Sequence, residues 1–183
     1  MSSEVDWVLN QLTSVVDSVA TDYSIKHPDG TTSDVALKRV DRDNSRIYEG
    51  SETVDMSAPV RSRSGELQSG IFAGAESADV SQSPIGTEFD LDVERVVSLR
   101  VEGLHHSEWG HVDPDGDAGV PWDELKTRIR SALYSGRTYP DTDRPQTGYT
   151  HLLLTNETDL SSEYSDFFDW RVDVAFDGVE DLH

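Results

Sequence analysis

Along residues 86–102 apolar and polar side chains change places at almost every step. Phe89, Leu91, Val93, Val97, Leu99 and Val101 hold the odd positions, and Asp90, Asp92, Glu94, Ser98, Arg100 and Glu102 the even ones. Successive strand side chains point to opposite faces, so this pattern predicts a long strand with one buried and one wet face. Arg95 and Val96 interrupt it and mark a bulge or a place where the strand leaves one sheet for another surface. The chain closes on the same pattern: Phe168, Trp170, Val172, Val174 and Phe176 face one way, and Asp169, Arg171 and Asp173 the other. Two strands with one apolar face each need a layer to bury it.

Two helical segments supply that layer. Val5, Val8, Leu9, Leu12, Val15, Val16 and Val19 recur at spacings of three and four, and Ser3 with Asp6 can cap the start. Pro121 opens a second helix that carries Trp122, Leu125, Ile129, Ala132 and Leu133 on one side. Asp123 and Glu124 sit in its first turn, where the helix dipole favours anions, and Gly136 lies at its stop. Tyr23–His27, Val35–Val40 and Arg46–Glu49 read as short strands of a small meander, and Tyr149–Thr155 as a further strand. Residues 103–120 and 137–148 read as polar loops. The expected fold class is α+β: a mainly antiparallel sheet, with the N-terminal helix and a second helix at about 121–135 packed on one face. At 183 residues the expectation is a single domain over 1–183. Residues 51–86 are expected to insert as a Ser-rich loop or arm, since Ser51–Gly70 is nearly free of large apolar side chains.

The composition excludes several function classes. Asp and Glu outnumber Lys and Arg by 36 to 15, giving a formal charge of -21. At low salt such a chain repels itself, whereas at about 1 M the Debye length falls to roughly 3 Å and the carboxylates serve as a hydrated surface. The balance points to a protein of brine and argues against sequence-specific nucleic-acid binding, which draws on cations that neutralise phosphates. With no Cys there are no disulfides, thiolate metal sites or Cys nucleophiles. No apolar run approaches the roughly 20 residues of a membrane helix, and Ser2, Ser3 and Glu4 after Met1 do not start a secretory signal, so the expectation is a soluble protein made in the cytoplasm.

Asp113, Asp115, Asp117 and Glu124 fall at the first, third, fifth and twelfth positions of a calcium loop, with Val120 at the eighth. Ala118 stands where that loop needs Gly and Pro121 at the ninth position, so a solvated acidic turn competes with a divalent-ion site. His105, His106 and His111, near Glu108 and Trp109, invite a zinc or iron reading but match no helical ligand pair. No nucleophile elbow, phosphate-cradling Gly loop or dinucleotide fingerprint is present, so no catalytic residue, no resident metal and no cofactor is assigned. Arg61, Arg63, Arg128, Arg130, Arg137 and Arg144 are the cations available to grip a neighbour's carboxylates. Of these Arg61, Arg63, Arg128 and Arg130, with Trp109, form the candidate interface, and pairing within the chain is the alternative.

The order and placement of these elements carry a resemblance. It rests on the N-terminal helix with Trp7, the strand through Val96-Val97-Ser98-Leu99-Arg100-Val101, and the Pro121-Trp122-Asp123-Glu124-Leu125 helix ending near Tyr139-Pro140. Tyr149-Thr150-His151-Leu152-Leu153-Leu154 and the aromatic strand Phe167–Val174 complete it. Residues 86–182 resemble the tail terminator and tail completion proteins of tailed viruses, here of one infecting halophilic archaea. The resemblance implies a non-enzymatic virion protein, a ring usually of six copies at the head-proximal end of the tail tube. Such a ring stops tail polymerisation and joins the tail to the head-side connector, and DNA passes through its lumen. The implied partners are further copies of the chain, a tail tube protein and a connector, in the virion neck after assembly in the host cytoplasm. The alternatives are a head-completion connector ring, or a haloarchaeal metal-binding or hydrolytic protein using the 105–124 His/Asp cluster.

Overall fold

A computed structural model describes residues 3–48, 54–55, 58–66, 68–86, 90–104, 110–113, 118–135, 144, 146–163 and 167–182. The N-terminal helical segment begins as its sequence dictates. Asp6 N–H donates to Ser3 Oγ at 3.1 Å and Ser3 N–H donates to Asp6 Oδ2 at 3.2 Å, a reciprocal cap that satisfies two backbone donors. The rod bends at Leu12 into α1 (Glu4–Gln11) and α2 (Thr13–Asp22). The second predicted helix is α3 (Trp122–Tyr134), entered through Pro121.

All three helices lie against one face of a six-stranded sheet. Its strands are β3 (Leu37–Asp41), β4 (Arg46–Ile47), β7 (Ile71–Pro84), β8 (Asp90–Leu104), β9 (Thr147–Asp159) and β10 (Phe167–Asp181), in the order β4-β3-β7-β8-β10-β9. Every pairing is antiparallel except β3 with β7. The alternation seen in the sequence sets the core: Val97, Leu99 and Val101 stand opposite Val174, Val172 and Trp170. All six are buried with Leu9, Val19, Leu125, Ile129 and Leu133. At about 25 cal/mol per Å² of apolar area removed from water, each large side chain here contributes roughly 1.5–3 kcal/mol. Trp7 meets Phe176 edge-on at 5.6 Å between centroids and so fastens α1 to β10. The α+β class is as expected.

The main correction concerns residues 51–86. Within the expected loop or arm lie β5 (Val54–Asp55), β6 (Ala58–Ser62) and β7, a central strand that pairs with β8 along nearly its whole length. Ile71, Phe72, Ala73 and Ala75 are buried in the core, but β7 from Ser77 onward is exposed on both faces. It therefore has no apolar alternation to betray it. The β5–β6 hairpin lies on the sheet face away from the helices and buries Val60 with Val40, Phe72 and Leu104 in a second, smaller cluster. The bulge expected at Arg95–Val96 belongs to the facing strand: Ser77 pairs with Val97 and Asp79 with Val96, leaving Ala78 as the extra residue. The expected meander divides: among the described residues β1 (Ser24–Lys26) pairs only with β2 (Thr32–Asp34), while β3 and β4 join the main sheet. The segment expected to be loop from Gly103 is strand through Leu104, and β9 and β10 each run beyond the expected ends.

Candidate functional site

Asp115, Asp117, His105, His106, Glu108, Trp109 and Arg137 lie outside the described residues. What is described of the 105–124 region is structural in its bonding. The Asp113 carboxylate is buried and accepts the Ala118 N–H at 2.9 Å, while Asp113 N–H donates to the Val120 carbonyl at 3.0 Å. Glu124 accepts from Arg128 Nε one helical turn on, at 2.8 Å. His111 is buried with both ring nitrogens engaged. Nδ1 accepts the Ala36 N–H at 2.9 Å, and Nε2 lies 2.8 Å from Ser69 Oγ. Burial, helped by Lys38 and His27, pushes its pKa down to about 4, so the ring is neutral near pH 7. Among the described residues no group of three or more His, Asp or Glu side chains is placed to hold a metal ion.

The candidate interface arginines separate into two kinds. Arg128 bonds Asp22 at 2.9 Å as well as Glu124 and lies over the Tyr23 ring, tying α3 to the end of α2. Arg130 pairs with Glu157 and lies over Trp170, tying α3 to β9 and β10. Arg144 reaches back to Glu4 at 2.8 Å. These three serve contacts within the chain, the alternative that the sequence left open. Arg61 and Arg63 instead sit exposed on the hairpin and just beyond its end, Arg61 donating to the Gly65 carbonyl at 2.9 Å.

The sheet face away from the helices is polar, and register builds it in two zones. Near the hairpin, Arg100 and Arg171 both bond the buried Asp169, Arg42 pairs with Glu76 at 2.7 Å, and Ser98 and Asn156 donate to Asp173. Apart from the buried Asp169, these residues border a groove of about 370 Å³ in which each arginine already bonds a carboxylate. Farther along lies a four-stranded panel made of β7, β8, β10 and β9. Its rows run from Asp79–Val96–Ala175–Leu153 to Pro84–Leu91–Glu180–Thr147. A groove of about 580 Å³ crosses all four strands here, lined by Ser81, Ser83, Asp92, Glu94, Asp177 and His151 among others. Glu94 stands directly opposite Asp177, two carboxylates on one wet face that no spacing in the sequence brings together.

Gly178 makes this panel possible. A Cβ at that position would lie 2.3 Å from the Gly148 carbonyl oxygen and 2.7 Å from Tyr149 Cα, where β9 bulges at Thr150 to stay on β10. The chain matches no protein-family model and no curated protein. No helix among the described residues is long and apolar enough to cross a membrane.

Proposed function

We propose that this chain is a non-enzymatic ring subunit of a tailed virus, seated at the head-proximal end of the tail tube, where it ends tail growth and meets the head-side connector. The observation that carries this reading is the panel's face away from the helices, hollowed and set with Asp92, Glu94 and Asp177, while on its other side α1 covers Phe176 and Tyr149. A ring of such subunits with the acidic side inward makes a channel that repels phosphates, so DNA passes without being held. Closure by rotation limits the assembly to a ring where translation would give a fibre. The order of elements in residues 86–182, similar to that of tail terminator and completion proteins, supports the same reading.

Negative-stain microscopy and mass photometry of the purified protein in molar KCl test it. The expected result is a toroid of uniform copy number with an open centre. A monodisperse monomer at every protein concentration in that salt overturns the proposal.

A further inference from the structure

The panel has two open edges, and they match. On one side β3 covers β7 only from Ile71 to Ala75, and Asp43 takes the Ser77 amide and hydroxyl at 3.0 and 2.7 Å. Beyond that, among the described residues, no strand pairs with the outer edge of residues 78–84. On the other side β9 ends the sheet. Tyr134 at the end of α3 accepts the Leu154 N–H at 3.0 Å and so closes that part of the edge; the Thr147 N–H donates to the Arg144 carbonyl at 3.0 Å, and among the described residues no strand pairs with the outer edge of residues 147–153. The two runs are equal in length and lie on the same rows: Asp79 is level with Leu153, Ser81 with His151 and Pro84 with Thr147.

From these relationships, and resting on the ring reading above, we infer that copies join edge to edge, residues 78–84 of one pairing with residues 147–153 of the next in a continuous antiparallel sheet. Three antiparallel steps separate β7 from β9, so the two edges run in opposite directions. Rotating one panel about an axis along its strands brings β9 beside the next β7 in antiparallel sense, the arrangement that a closed sheet requires. Charge favours the same meeting. In a chain of net charge -21 the two runs together hold one carboxylate, Asp79, and one histidine, His151. Edges left open in isolated proteins are blunted with charges, prolines or bulges; these two are nearly bare of charge, and Pro84 and the bulges at Ala78 and Thr150 interrupt them at single positions only. A two-fold contact of β9 with β9, or of β7 with β7, uses one edge and leaves the other exposed. The head-to-tail contact uses both, and ring closure leaves none.

The absence of cysteine makes the test clean. Ser81→Cys is combined in turn with Gly148→Cys, His151→Cys and Leu153→Cys, which spans a stagger of about two rows in either direction. Each variant, folded by circular dichroism, is oxidised in molar KCl and run without reductant. The expected result is that one double variant gives a reducible ladder of two, three and more copies ending at the ring size, while the single variants stay unlinked. Covalent dimers from a single variant mean a two-fold contact and overturn the inference. Rings visible by microscopy with no linkage in any double variant overturn the edge pairing but leave the ring, whereas monomers throughout remove both.

Discussion

Glu102 and Asp169 are direct cross-strand partners on β8 and β10, both almost wholly shielded from solvent, and they share the Arg100 guanidinium unequally. Arg100 gives Asp169 a two-pronged bond, Nε to Oδ1 at 3.1 Å and Nη2 to Oδ2 at 2.7 Å. Glu102 Oε1 is only 2.9 Å from the same Nε but accepts no hydrogen bond, because that N–H is directed at Asp169. The consequence is a divergence of acidities. At Asp169 burial is outweighed by Arg100 and Arg171, which hold its pKa below the usual carboxylate range. At Glu102 burial dominates over Arg100, and the Asp169 charge adds to it, so the pKa rises to about 7.

The folded state therefore holds a proton on Glu102 that the unfolded chain releases near pH 4.5. Its contribution is most favourable below the unfolded pKa and is lost as pH rises through about 7. Glu102→Gln, which keeps the Arg100–Asp169 pair, should raise stability at about pH 8 by roughly 1–3 kcal/mol and change little near pH 4. Urea titrations of both proteins at the two pH values check this; an equal effect at both would show that Glu102 does not titrate differently on folding.

His111 works with the opposite sign. Its folded pKa lies below the unfolded one, so stability falls as pH drops from about 6.5 through about 4, the window in which Glu102 adds stability. The two act in opposite directions in the native chain. In Glu102→Gln the opposing contribution is gone, and stability should decline more steeply from about pH 6.5 toward acid than in the native chain. His111→Ala leaves the Ala36 amide without its acceptor and should cost about 1–3 kcal/mol at neutral pH. Zinc should not rescue or stabilise either protein in thermal melts, since both ring nitrogens are already engaged.

Gly178→Ala is expected to be among the most damaging single substitutions. The new methyl meets backbone atoms of Gly148 and Tyr149, which cannot rotate aside as a side chain end can. Relief requires parting β9 from β10, with a loss of about 3 kcal/mol or more. Gly148→Ala meets nothing within 4 Å and should be nearly neutral, so the pair compared by chemical denaturation separates this clash from a general intolerance of side chains in the panel.

The elements readable from the sequence are those whose two faces meet different surroundings. On β8, Val97, Leu99 and Val101 touch the helices and Ser98 and Arg100 do not, so the alternation survived in plain view. The N-terminal capping box and the apolar stripe of α3 were legible for the same local reason. The outer half of β7 was not. Ser77, Ala78, Asp79, Val80 and Ser81 are exposed whichever way they point, and a strand without a dry face has the composition of a linker. The acidic panel was invisible for another reason: Glu94 and Asp177 are neighbours only through register, far apart in the chain. By contrast, the Asp113–Glu124 spacing was legible but spent on local bonding, Asp113 on Ala118 and Glu124 on Arg128.

Register also gives the excess charge a specific address. Besides Glu94 opposite Asp177, Asp90 stands opposite Asp181, so β8 and β10 carry two directly facing carboxylate pairs toward the end of the panel. Like charges opposed across a ladder destabilise it, and at the surface that repulsion is screened by salt. Asp177→Asn should thus stabilise the protein by a few tenths of a kcal/mol at about 0.1 M KCl and lose that advantage at about 3 M, where the Debye length is below the spacing of the pair. Melting curves across a KCl series should show the two proteins converging as salt rises. Parallel curves would place the effect of Asp177 in packing or hydrogen bonding, since only a charge–charge term fades with ionic strength.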